Sequence, residues 1–209
     1  MQRADVKDRP APAKAAKRRQ AGSPQAAKQR QERARKTGAR IAQAAIAVLA
    51  KQGLSRVTHR SVATEAGVAL AATTYYYATK SDIIRAASAA ILQHYVDSFE
   101  RTAERYRQNP GASPPFREFV WRQLRNVAVR DRMMMMAWQE ISLDAVRGHD
   151  SLALMREWHG DINRLWIKVA RAAKTPDPEN TARSGVDLIL GLLLMVCGLS
   201  LAPAEIDAV

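Results

Sequence analysis

Cysteine is all but absent from this 209-residue chain, and the single Cys197 cannot close an intrachain disulfide, which fits a reducing cytoplasm. Set inside an apolar run, it reads as a small buried hydrophobe. Long apolar runs are missing too: the longest, residues 188–202, covers 15 positions and includes Gly191 and Gly198. That is short of the ~20 residues a bilayer span needs, so no membrane partner is expected. The charged N-terminus lacks an apolar core region and does not read as a secretory signal. Only four histidines occur, His59, His94, His149 and His159, without metal-ligand spacing, and the chain has no cysteine pair, no HExxH and no glycine-rich phosphate loop. Neither metal, cofactor nor enzymatic activity is expected from such a set. Carboxylate pairs such as Asp97 and Glu100 read as solvated helix faces.

Acidic residues are scarce in one region only. Residues 1–60 hold 16 Lys and Arg against three Asp and Glu, while residues 61–209 hold 17 of each. The net charge of +13 therefore belongs to the first part of the chain, and it favours a polyanionic partner there. Residues 1–28 are rich in Ala, Lys, Arg, Gln and Pro, with Val6 the one large aliphatic side chain apart from Met1. They cannot bury enough surface to offset ordering entropy and read as a disordered basic tail, either adding sequence-independent attraction to phosphate or serving as a plain solvated arm.

Helical periodicity takes over from Gln29, with Ile41, Ala44, Ala45, Val48 and Leu49 at three- and four-residue spacing before Gly53 ends the run. Thr58 offers an N-cap to a short second helix that stops at Gly67, and a third covers about Ala69 to Tyr76. A longer helix opens at Lys80 and carries Ile83, Ile84, Ala87, Ile91, Tyr95 and Phe99 on one stripe. Further helices are expected from Phe116, over Arg132 to Val146, over Leu152 to Ala173, and over Glu179 to Leu201. No segment shows sustained period-two alternation, so the fold class is all-α with about eight elements.

Residues 58–80 hold the informative motif, a helix-turn-helix. Small Ala63 permits a close helix crossing, Gly67 a sharp turn, and Val62 with Val68 fills the space between the helices. The second of these helices is then free to enter a major groove of double-stranded DNA with Ala69, Leu70, Thr73, Thr74 and Tyr75 outward; Thr can bond base edges and Tyr can reach phosphate.

Taken together, Thr58-x-x-x-Val62-Ala63-x-x-Ala66-Gly67-Val68, the aromatic cluster Tyr75, Tyr76 and Tyr77, and Thr79-Lys80-Ser81-Asp82-Ile83-Ile84 closely resemble the TetR family of bacterial transcriptional regulators. The resemblance covers about Arg35 to Ala87 well and the remainder in layout. It departs at Ala71 and Ala72, where the family usually has one glycine, and at Tyr77, where phenylalanine is common. The resemblance implies an N-terminal three-helix DNA-binding domain over residues 29–80 and a C-terminal helical ligand-binding and dimerisation domain over 81–209. It further implies phosphate contacts from Thr58, Arg60 and Lys80, groove contacts from Thr73, Thr74 and Tyr75, DNA contact from Tyr76, and an interior place for Tyr77.

The last helix carries Leu188, Gly191, Leu192, Met195, Gly198 and Leu199 at three- and four-residue spacing. Packed with its predecessor into a four-helix bundle, it would make a homodimer that sets two reading heads on a palindromic operator; an ordinary core helix is the competing reading. Met134, Trp138, Trp158, His159 and Trp166 are candidates to line an adaptable apolar pocket for a small-molecule effector, or else belong to the plain core. A ligand-responsive, cytoplasmic repressor is the expected function, with activation also open. A general architectural nucleic-acid binder is disfavoured, because it would not need the balanced helical half.

Overall fold

A computed structural model of the chain describes residues 24–109, 115–148 and 151–199. Eight α-helices and one 3-10 turn make up the described residues, with no strand among them: α1 (Pro24–Gln52), the turn Leu54–Arg56, α2 (His59–Ala66), α3 (Leu70–Tyr76), α4 (Lys80–Gln108), α5 (Phe116–Val129), α6 (Arg132–Val146), α7 (Ser151–Ala172) and α8 (Pro178–Gly198). The expected all-α class and element order are observed. The tail up to residue 23 and the side chain of Cys197 lie outside the described residues. Helix α1 starts five residues before Gln29, because proline suits a first helical position and Ala, Gln and Lys propagate a helix without an apolar stripe.

The chain divides into two units, residues 1–35 and 36–209, with the boundary inside α1. Of the first, the described residues are helical and almost wholly exposed. The second is built around one contiguous core. Ile41, Ala45, Val48 and Leu49 of α1 are fully buried, as are Val57 and Val62, and they share that core with Ile83, Ile91, Trp138, Ile141 and Trp166. All six apolar residues of the α4 stripe are buried.

Local chemistry sets the ends of these helices. Thr58 and Ser61 form a reciprocal capping box at α2, the Thr58 hydroxyl accepting from Ser61 N and the Ser61 hydroxyl accepting from Thr58 N, both at 3.0 Å. Thr79 and Asp82 repeat it at α4, at 3.1 Å and 2.9 Å. Each supplies partners for backbone N–H groups that a helix start leaves unmet. Gly67 closes α2 in the left-handed region at φ 60° and ψ 41°, as a sharp exit toward α3 requires.

Beyond α3, α7 packs against α4, α6 and α8, and α5 against α8. Phe99, Phe116, Phe119 and Trp166 meet with ring centroids 5.1–6.1 Å apart. Trp138 stacks on Trp158 at 3.8 Å. Gly185 is where α8 approaches this cluster, since a Cβ there would lie 2.9 Å from the Trp166 ring. Among the described residues no helix is long and apolar enough to cross a membrane.

Candidate nucleic-acid interface

Helix α3 contains no charged residue, and its position is fixed by what surrounds it. Val68 N donates to Ala63 O at 3.0 Å across the turn, and Arg40 of α1 donates from Nη2 to Gly67 O at 3.0 Å. Lys51 pairs with Glu65 at 2.9 Å, tying the end of α1 to α2. On the inner side, Tyr77 Oη donates to Gly38 O at 3.1 Å, and partial burial pushes the Tyr77 phenol above its ordinary range. Tyr77, expected in the interior, is half-buried and packed against the core.

The outward face of α3 is Leu70, Ala71, Thr74 and Tyr75, with Tyr75 at 78% exposure. Thr73 must be corrected. It is 0% exposed, and its hydroxyl donates to Leu70 O at 2.8 Å, with His59 O at 3.4 Å. On a helix, position 73 shares a face with the half-buried Tyr76, and its hydroxyl lies against His59 of α2, so it cannot also face a groove. Ala71 takes the outward place that sequence reasoning gave to Thr73; counting back three residues from Tyr76 would have found this. Tyr76 is itself half-buried and meets Tyr75 edge-on at 5.2 Å, so it stands at the margin of the face.

Ala69 is exposed as the residue that precedes α3, and Thr58, Arg60 and Lys80 are all exposed. The Thr58 hydroxyl is already engaged in its capping box. Lys80 opens α4, where the first backbone N–H groups of a helix favour an anion. At that start Asp82 accepts from Thr79, which holds its carboxyl below the ordinary carboxylate range.

The family model described as bacterial regulatory proteins, tetR family, matches residues 41–87, the span that runs from α1 through α2 and α3 into α4. The chain belongs to the TetR family of transcriptional regulators. It is 27% identical over 156 residues to the nicotine-responsive transcriptional repressor HdnoR of Paenarthrobacter nicotinovorans, covering 72% of this chain and 78% of that one. Among solved structures, a TetR-family member from Streptomyces coelicolor A3 is 28% identical with a TM-score of 0.59, covering 80% of this chain and 91% of its own. The multidrug binding protein EbrR complexed with ethidium is 26% identical with a TM-score of 0.58, covering 81% and 94%. This TetR-family chain is accordingly a DNA-binding regulator with a repressor as homologue.

The second half of this family member holds a cavity of about 40 Å³ between α4, α5, α6, α7 and α8, lined by Tyr95, Phe99, Gln123, Met135, Trp158 and Trp166 together with aliphatic residues of α5, α7 and α8. Of the pocket candidates, Trp158 and Trp166 are in its wall. Trp138 is buried one layer behind, stacked on Trp158. Met134 is half-buried and does not line the cavity, and its buried neighbour Met135 does. His159 also lies off the cavity: its Nδ1 bonds Asn163 Nδ2 at 3.0 Å, and its Nε2 is 3.8 Å from Asp187. Tyr95, Phe99 and Gln123 were missed, Tyr95 and Phe99 because a stripe of buried aromatics reads as core.

On α8, Leu188 and Met195 are exposed, as is Leu194 at 62%, and Leu199 just past its end is exposed too. Gly191 and Gly198 face open space, and Leu192 is half-buried in a groove shared with Val120 and Trp121 of α5.

Proposed function

We propose that the chain is a repressor that acts in the cytoplasm as a homodimer on a palindromic operator and is released by a small-molecule effector. In this reading residues 29–80 form the DNA-reading domain and 81–209 the effector and dimerisation domain. Leu70, Thr74 and Tyr75 meet the groove, Ala69 and Tyr76 border it, and Arg60 and Lys80 meet phosphates, with Thr58 capping the helix that presents Arg60. The observation that carries the reading is the outer face of α8 and the residue just past its end, where Leu188, Leu194, Met195 and Leu199 are exposed beside two glycines that would admit another helix closely. A leucine-rich stripe of this length on a free surface is a feature of interfaces, and a two-fold pairing through it gives two copies of α3 for two half-sites. Responsiveness to an effector is supported by the internal cavity, by HdnoR being nicotine-responsive, and by EbrR being found with ethidium, imidazole and malachite green.

Footprinting on DNA flanking the gene is the test. Protection of a palindrome is expected, lost with Thr74→Ala and Tyr75→Ala. Protection of a single half-site by a monomer, or protection indifferent to both substitutions, would overturn the proposal.

A further inference from the structure

Two residues that line the internal cavity each carry a polar atom with nothing to bond. Tyr95 Oη and Trp158 Nε1 are both buried without a hydrogen-bond partner among the described residues, although the two side chains are only 7% and 6% exposed. An orphaned buried group of this kind is destabilising, and native proteins keep few of them without a water, ion or ligand that supplies the bond. Tyr95 and Trp158 line one cavity together with the buried Gln123. An indole N–H can only donate, whereas a phenol and an amide can do both, so an occupant that satisfies Trp158 must bring an acceptor.

Charge is missing from the same wall: no Lys, Arg, Asp, Glu or His lines the cavity. The nearby Asp131 carboxylate is already held by His94 Nε2 at 3.1 Å. Bringing an ion into this space would forfeit its hydration without a counter-charge. Size sets a further bound, because a cavity of about 150 Å³ holds a benzene ring and this one measures about 40 Å³. Entry of one ring therefore requires the wall to yield, and Met135 and Leu190 are its flexible members, whereas Trp158 is pinned by its stack on Trp138.

We infer that this cavity takes a compact, uncharged, single-ring aromatic molecule carrying a hydrogen-bond acceptor, held by Trp158, Tyr95 and Gln123. The inference rests on the effector reading above and narrows it to a chemical class, which excludes organic cations that other aromatic-lined pockets accept through cation–π attraction.

The experiment titrates the full chain, without DNA, with phenol, toluene, benzoate, benzylammonium and ethidium, by calorimetry and tryptophan fluorescence. Phenol is expected to bind at least tenfold more tightly than either single-ring ion and several-fold more tightly than toluene. Tyr95→Phe and Trp158→Phe should each weaken phenol three- to tenfold, the worth of one hydrogen bond, and leave toluene unchanged. Tyr95→Phe should also melt no lower than the native protein, since it removes an unmet hydroxyl, so that variant stays interpretable if Trp158→Phe folds poorly. Benzylammonium or ethidium binding as tightly as phenol, no binding by any uncharged ring, or phenol affinity indifferent to Tyr95→Phe would overturn the inference. Phenol that binds as expected but leaves the operator footprint intact would sink the effector reading and not the site.

Discussion

Replacing Gly67 by alanine probes the turn that aims α3. The backbone there lies at φ 60° and ψ 41°, where a β-carbon crowds the following carbonyl at a cost of about 1–2 kcal/mol. The added methyl would also sit 2.9 Å from Arg40 Nη2. That guanidinium must then withdraw and give up its bond to Gly67 O; the bond is solvent-exposed, so its loss adds only about 0.5–1 kcal/mol. The sum, about 1.5–3 kcal/mol, lowers Tm by about 3–12 °C for a chain of this size, read by scanning calorimetry. Two companions separate the costs. Gly67→Asn keeps the collision with Arg40 but tolerates the left-handed region, so it should fall less than the alanine variant. In an Arg40→Ala background the bond is already gone, so Gly67→Ala should cost less there by that bond's share. An alanine variant that melts with the native protein, or an asparagine variant that melts below the alanine one, would refute this account of the turn.

Thr74→Ala and Tyr75→Ala should leave stability within about 0.5 kcal/mol and weaken operator binding about fivefold or more in gel-shift titrations, the effect of about 1 kcal/mol of lost contact. Thr73→Val should do the reverse, lowering Tm through its lost internal bond and sparing DNA affinity. Leu194→Arg should yield a folded monomer by sedimentation velocity; a persistent dimer would remove α8 from the interface. Because the Asp82 carboxyl is held below its ordinary value of 3.8, its contribution to the start of α4 is complete above that value and fades as pH falls through the lower folded one. Asp82→Asn should therefore flatten the acid limb of an unfolding titration, and an unchanged limb would contradict the capping box. Gly185→Ala gains about 1 kcal/mol of helix propensity but drives a methyl against a Trp166 ring that Phe99, Phe116 and Phe119 hemmed in. Overpacking costs about 1–3 kcal/mol, so a net loss in Tm with altered tryptophan emission is expected.

Much of this architecture was legible from residues 29–199 because each signal was local. Gly53, Thr58, Gly67 and Thr79 each bound a helix through chemistry contained in three or four residues, and the α4 stripe is a periodicity within one helix. What escaped were facts that depend on rotation about a helix axis by one position. Thr73 and Ala71 exchange inside for outside, and the buried Met135 rather than the half-buried Met134 lines the cavity, because a seven-residue helix and a run of four methionines offer no apolar contrast to fix the angle. The cavity was harder still, since its wall is assembled from five helices and no single segment announces it. The 3-10 turn at Leu54–Arg56 was missed for a related reason: its leading N–H is met by a residue 86 positions away.

That distant bond bears on how separable the reading head is. Leu54 N donates to Glu140 Oε2 at 3.1 Å, and a Cβ on the positive-φ Gly53 before it would lie 3.1 Å from the same carboxylate. Val57, Val62 and Ala66 likewise share their core with residues of α4 and α6. A chimera that grafts residues 24–80 onto a foreign C-terminal half would therefore inherit an unmet donor and a half-open core, unless the recipient supplies a carboxylate at the place of Glu140. Modularity in this chain is a matter of interface matching, with position 140 as the fitting that a transplanted head has to find.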